Sequence, residues 1–319
     1  MTVKMPTRRD LLYGTAAALG TAAIPDLGRA ATLAPIRVAL VVSDSSALCE
    51  YARVGGFLDK AGMTVDIQYL ANGGASLPAL LGGTIDITPS NSLSALIAQE
   101  KGLPLKIIAM EAIYRSGQAS TLMLVDRDSP LQTARDLEGK TVAISTLLSN
   151  THIAVMRWID KNGGNSKAVK YIELGFSAMP AALEAKRVDA IMVAEPNIAA
   201  SMSFARVFAD AYGSYAPTWL QDCFVSTDTW IAAHPAETKS FCAAMLATAA
   251  WANRNHDKTA PILAKALKMD EHVVDTMRRA VFAEKVTPAL LQPVVDAGLA
   301  YGALTKPISP ADAFSRQVL

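Results

Sequence analysis

The chain has 319 residues, long for a single compact core and comfortable for two lobes. Hydrophobic residues make up 51% and charged residues 18%, a globular composition that excludes a disordered chain. Thirty basic residues stand against 29 acidic ones, so no charge excess points to a nucleic-acid or membrane-surface partner.

Residues 1–30 read as an export signal and are set apart from the fold. Thr7-Arg8-Arg9-Asp10-Leu11-Leu12 is a twin-arginine pattern, and an apolar stretch diluted with Ala and Gly runs from Leu11 to Ile24. Gly28-Arg29-Ala30 puts small residues where a signal peptidase reads. The apolar stretch, about 14 residues, is short of the ~20 that a spanning helix needs. An ordinary secretory signal with two chance arginines is the alternative; the arginine pair directly before two leucines favours twin-arginine export to the periplasm. No cysteine follows the run, so no N-terminal lipid anchor is expected. Without the signal's four basic and two acidic residues, 26 basic face 27 acidic side chains.

Downstream, strands and helices alternate. Residues 36–42 (IRVALVV) form an unbroken apolar run, as for a strand covered on both faces. A helix over 47–60, a strand over 65–70, a short helix over 77–81, a strand over 85–88, a helix over 92–101 and a strand over 105–110 follow. Short connections in a β-α-β series imply a mostly parallel sheet. The alternation restarts with a strand at 121–125 and continues with strand 141–145, helix 151–161, strand 169–173, helix 178–185 and strand 190–193. A helix follows Glu195-Pro196, with proline suited to its first position, and then a short strand at 207–209. Residues 224–231 read as extended. Helices are expected at 236–255, 259–267, 271–282 and 288–302. Segment 241–252 is the most apolar helix candidate and is too short to cross a bilayer. The pattern is α/β throughout: two α/β units and a helical tail, with no Gly/Ser linker, as for two lobes joined by crossing strands.

Two stretches echo each other. Leu77-Pro-Ala-Leu-Leu-Gly-Gly-Thr-Ile-Asp-Ile-Thr88 and Met179-Pro-Ala-Ala-Leu-Glu-Ala-Lys-Arg-Val-Asp-Ala-Ile191 both run from a short helix through a turn to an Asp and a strand. Chance similarity of two common turns is the plain alternative. The order of motifs weakens it: Gly83-Thr84-Ile85-Asp86-Ile87, Lys101-Gly102-Leu103-Pro104-Leu105-Lys106, Leu137-Glu138-Gly139-Lys140-Thr141-Val142-Ala143, Arg187-Val188-Asp189-Ala190 and Ala194-Glu195-Pro196. That series resembles the solute-binding proteins of ABC importers, in the branch related to nitrate, sulfonate and taurine binding and to thiamine-pyrimidine precursor binding. The resemblance covers Ile36 to about Trp230 and, more loosely, the helical tail. It implies a type II periplasmic binding fold, two α/β lobes closing on a ligand cleft by hinge motion. The lobes would be 31–122 with 225–319, and 123–224. It also implies a membrane permease as partner.

In open α/β sheets ligands sit at the carboxyl ends of strands. This selects Ser43, Asp44, Ser45 and Ser46 after the first strand; Asn72, Gly73, Gly74 and Ser76 after the second; and Ser90, Asn91 and Ser92 after the third. In the second unit it selects Thr146, Ser149, Asn150, Thr151 and Glu195. Each such turn alone is a helix cap; several converging make a binding site, and free N–H groups of a helix start can hold an anion without an arginine. Glu195 suits a ligand with N–H donors and opposes a small anion, its plain role being to cap the next helix. Arg115 is the nearby cation to consider for an anion. His152 is expected to be neutral and solvent-exposed. Tyr114 and Trp230 could stack on an aromatic ligand, with packing as their plain role; Trp158 is expected in the core. The pyrimidine-binding relatives carry an aromatic and an amide after the first strand, where Ser43-Asp44-Ser45-Ser46 stands. The expected ligand is a small organic molecule: a sulfonate, a carboxylate or a heterocycle.

No metal or cofactor is expected. Cys49, Cys223 and Cys242 form no CxxC pair, and buried free thiols are favoured over a Cys223–Cys242 disulfide. The chain has no phosphate-binding loop, so the importer's ATPase would be a separate subunit. It also lacks a Gly-x-Ser-x-Gly elbow, a His-Glu-x-x-His helix and the cysteine cluster of the fungal thiamine-pyrimidine enzymes. A monomeric, non-enzymatic receptor is expected, with a sensor or an enzyme of the thiamine-pyrimidine type as alternatives.

Overall fold

The run IRVALV forms β1 (Ile36–Val41) in a computed structural model that describes residues 35–41, 43–70 and 76–319. The export signal expected over 1–30, and Asn72, Gly73 and Gly74, lie outside the described residues. Consecutive residues of β1 are buried, so both faces are covered, as an apolar run without alternation requires. It pairs in parallel with β2 (Val65–Leu70), and Ile87 bridges Val38 in parallel. The strand expected at 85–88 lies three residues later, as β3 (Thr88–Asn91). Asp86 and Ile87 bond to β1, and the chain then leaves it to pair with β12 (Asp222–Thr227).

β12 runs antiparallel between β3 and β4 (Leu105–Met110), with Asp222 opposite Asn91 and Thr227 opposite Leu105. The first sheet region is therefore mixed, because a returning strand inserts between two parallel ones. A small sheet of β11 (Thr218–Leu220), β5 (Ala112–Arg115) and β13 (Val281–Phe282) is antiparallel. The remaining strands are β6 (Thr121–Asp126), β7 (Thr141–Ile144), β8 (Lys170–Glu173), β9 (Ala190–Ala194) and β10 (Ala205–Ala209). They form one sheet in the order β10-β6-β9-β7-β8, with β9, β7 and β8 parallel.

Several expected elements end elsewhere. The helix over 47–60 is two, Leu48–Val54 and Phe57–Lys60, broken where Gly56 takes a left-handed backbone with φ 72°. The extended reading of 224–231 holds to Thr227, whose Oγ1 accepts the Trp230 N–H (3.2 Å) and caps the helix Asp228–Ala233. The helix over 271–282 stops at Thr276, and Val281–Phe282 is β13. Pro196 follows a cis bond and stands at the N-cap of Asn197–Ser201, not inside that helix.

The internal echo is physical. Asp86 and Asp189 each place a carboxylate oxygen 2.8 Å from a backbone N–H at the start of a strand, that of Arg37, second in β1, and that of Thr141, first in β7, and each Asp backbone N–H returns a 2.8 Å bond to the same residue's carbonyl. Upstream, Gly83 (φ 71°) and Lys186 (φ 55°) both turn left-handed, and Thr84 and Arg187 donate back to Ala79 and Ala182 at 3.1 and 2.9 Å. The same corner is built twice, each time pinning the start of a strand whose far end carries a candidate turn.

Two apolar cores support these sheets. One joins β1 and the helix Leu48–Val54 to the C-terminal helices Pro235–Ala252 and His256–Leu267; the other spans the five-stranded sheet and the helices flanking it. Cys49, Cys223 and Cys242 are buried and unbonded, matching the thiol reading. Among the described residues no helix is long and apolar enough to cross a membrane.

Candidate ligand-binding site

The turn after β1 folds on itself. The Ser46 N–H donates to Ser43 Oγ (3.2 Å), and Ser43 Oγ meets the hydroxyls of Ser46 and Ser45 at 3.1 and 3.3 Å. Asp44, only 1% exposed, accepts from Tyr51 Oη (3.3 Å), Arg279 Nε (3.4 Å) and the Ala280 N–H. Arg279 also donates to Tyr51 Oη (2.8 Å) and Thr259 Oγ1 (3.1 Å). The turn is thus anchored to a segment more than two hundred positions away in the chain. Arg279 is the buried cation of this region, and the sequence reading missed it; Arg115, chosen instead, is exposed at the end of β5.

After β3, Asn91 caps the helix Ser92–Glu100: its Oδ1 accepts the Ser94 N–H at 3.0 Å. Ser90 Oγ donates to the Asn91 carbonyl (3.1 Å), and both residues are half-buried. Ser76 is buried, with no partner for its hydroxyl among the described residues.

The turn after β7 is not a plain helix cap. Ser149 occupies the N-cap of Asn150–Lys161, yet its hydroxyl goes to the Thr146 carbonyl (2.6 Å) and to Thr151 (2.9 Å), not to the helix N–H groups. Thr151 also shares a 2.8 Å bond with Ser145. Ser149, Asn150 and Thr151 are buried, whereas Thr146 is exposed and stands apart from them. Asn150 reaches beyond its own turn: Nδ2 donates to the Gln221 carbonyl (2.8 Å) and Ser92 Oγ (3.3 Å), and Oδ1 accepts the Leu93 N–H (3.3 Å). Two strand-end turns are thereby stitched together.

His152 contradicts its expected exposure. It is 7% exposed, its Nδ1 accepts the Leu148 N–H (2.9 Å), and burial pushes its pKa down to about 4. It is neutral, as expected, but from burial. Tyr114 is buried and stacks on Trp219, whereas Trp158, expected in the core, is half-buried and packs with Phe208 at the core's edge. Trp230 stacks on His234 with centroids 4.7 Å apart.

Glu195 both caps and bridges. Its Oε2 accepts the Ala199 N–H (3.0 Å) and its Oε1 the Arg278 N–H (3.1 Å). Burial pushes its carboxyl pKa up, against the pull of those two N–H groups. A cavity of about 510 Å³ adjoins this contact, lined by Gly117, Gln118, His256, Asp257, Arg278 and Arg279 among others.

Two further carboxyls belong to the place where these turns meet. Asp222 begins β12 opposite Asn91, and its carbonyl accepts the Glu111 N–H (3.0 Å). It keeps part of its surface accessible, yet burial pushes its carboxyl up to about 7. Its Oδ2 accepts from Gln221 Nε2 (3.0 Å), and the Ser45 hydroxyl lies beside it. The strand-end rule passed over Asp222 because β12 is antiparallel, so its amino end arrives where the carboxyl ends of β3 and β4 point. Glu111, one residue past β4, is fully buried, and burial pushes it up further, with Asp222 adding to the shift. No group of three or more His, Cys, Asp or Glu among the described residues is arranged to hold a metal.

A family model described as NMT1/THI5 like matches residues 46–259. Among curated proteins no sequence matches the chain. Among solved structures, the chain is similar to the alkanesulfonate-binding protein SsuA from Xanthomonas axonopodis pv. citri bound to MOPS, at 21% identity and a TM-score of 0.73 over 88% of this chain and 98% of that one. It is similar to the periplasmic nitrate-binding protein NrtA from Synechocystis PCC 6803, at 15% identity and a TM-score of 0.74 over 89% and 86%. The desulfurization enzyme DszB is also similar, at 13% identity and a TM-score of 0.66 over 89% and 97%. At these identities the likeness shows the fold, and the fold is that of the periplasmic binding proteins.

Proposed function

The chain belongs to the NMT1/THI5-like family, and from that premise we propose that it is a periplasmic receptor that captures a small organic molecule and hands it to the permease of an ABC importer. The observation that carries this reading is the meeting of buried polar turns from separate strands around Asn150, Glu195 and Asp222. Its two lobes are 31–122 with 225–319, and 123–224, and Ser43, Asp44, Ser45, Ser90, Asn91, Ser149, Asn150, Thr151 and Glu195 border the cleft; Gly73 and Gly74, outside the described residues, are proposed as ligand contacts with them. The chain is exported by the twin-arginine route and works as a monomer with a separate ATPase.

An enzymatic role draws on the likeness to DszB. Against it, burial holds all three thiols protonated, Cys242 at about 11 and Cys49 and Cys223 higher, and drives His152 to its neutral form at depth. A poor thiolate and an unreachable imidazole support binding over bond cleavage.

The test is native mass spectrometry of the full chain after equilibration with a small-molecule extract of its host. One non-covalently held molecule, released unchanged on denaturation, is the expected result. No retained molecule overturns the receptor reading; a chemically altered product favours the enzyme.

A further inference from the structure

The site's polar side chains divide into satisfied and unsatisfied ones. The hydroxyls of the first turn bond to one another, and Asp44 is held by Arg279, Tyr51 and the Ala280 N–H. Asn150 has three partners and Glu195 two. Glu111 stands apart: it is 0% exposed, and neither carboxyl oxygen has a hydrogen-bond partner among the described residues. A buried polar group left in this condition requires an explanation, because desolvation is not offset by any bond.

Its position supplies one. Glu111 follows the last residue of β4, at the strand end where ligands of such sheets bind. Its backbone is bonded to Asp222, a partly buried residue that begins β12 between the ends of β3 and β4. Resting on the receptor reading above, we propose that Glu111 and Asp222 form the floor of the ligand site and receive a cationic N–H donor of the ligand, an ammonium or amidinium group.

The charges nearby favour this class over an oxyanion. Asp44 and Glu195 bring two more carboxyls to the same place, close enough for Asp44 to act on Glu195. The buried guanidinium there, Arg279, is already bound to Asp44, Tyr51 and Thr259, and the Arg278 side chain is exposed. An anion would meet like charge with no buried cation left to receive it. A cation would give Glu111 the partner it lacks, add a charged one to Asp222 beside Gln221, and let both ionise together.

The test is a thermal-unfolding series on the full chain with benzylamine, agmatine and 4-aminopyridine at millimolar concentration, against nitrate, ethanesulfonate and benzoate. At least one cation is expected to raise the midpoint and no anion to do so. The rise should be lost in Asp222→Asn and Glu111→Gln, which keep the shape and remove the charge, with at least a tenfold fall in affinity. A rise with any anion overturns the inference and leaves the receptor reading intact. A cation effect that survives both variants also overturns it, as does silence from all three cations. The wild-type series decides even where a variant does not fold.

Discussion

His152 shows how one contact changes the meaning of a residue. Its ring lies 4.4 Å from that of Tyr171, and its Nδ1 is held by the Leu148 N–H. The folded imidazole titrates at about 4, below the ordinary 6.5. Above pH 6.5 neither folded nor unfolded chain is protonated there, and the residue adds no pH dependence. Between 6.5 and 4 the unfolded chain takes up a proton that the folded one refuses, so stability falls as pH falls. His152→Asn, which keeps an acceptor, should remove this loss. Urea unfolding at pH 7.5 and 4.5 should show wild type losing up to about 3 kcal/mol relative to the variant; parallel losses would contradict the buried, neutral assignment. Asn150 is the second test at this scale. Asn150→Ala leaves the Leu93 N–H without its side-chain partner and removes one of the two bonds to the Gln221 carbonyl, which keeps the Ser92 N–H, and should cost about 1–3 kcal/mol by chemical denaturation. An unchanged stability would mean that the stitch between the turns carries no weight.

At the scale of elements, the repeated corner is what the sequence displayed best. The two Asp-led strands were visible as matching letters, and the matching bonds from Asp86 and Asp189 give those letters a cause. Each carboxylate satisfies an N–H within the first two residues of a neighbouring strand and so holds that strand's start. Asp86→Ala and Asp189→Ala should each cost about 1.5–3 kcal/mol, and the double variant should add within about 0.5 kcal/mol, since the corners share no partner. A strongly non-additive pair would show that the corners are one unit. What the letters hid was pairing between distant segments. The rule that ligands sit at strand carboxyl ends selected Ser45, Ser90 and Asn150 but assumed parallel strands; Asp222 arrives from an antiparallel return. Arg279 was hidden likewise, since its bond to Asp44 joins residues 235 apart. His152 was misplaced because helix position gives a residue's turn and not what packs over it. Turns and caps are local and legible, whereas burial and long-range ion pairs depend on the completed fold.

At the scale of the whole molecule, the receptor proposed above would close two α/β lobes around a small molecule without altering it. The bonds from Asn150 to Ser92 and Leu93, and from Glu195 to Arg278, are the contacts such closure would form and release. A ligand favours the closed form only by binding it more tightly than the open one. The measurement that tests this most directly is small-angle scattering of the full chain, once stripped of small molecules by unfolding and refolding and once saturated with the molecule it retains from its host's extract. The saturated protein should approach the roughly 19 Å radius of gyration of a compact body of this size, and the stripped protein should be measurably larger. Identical curves in the two states would contradict capture by closure.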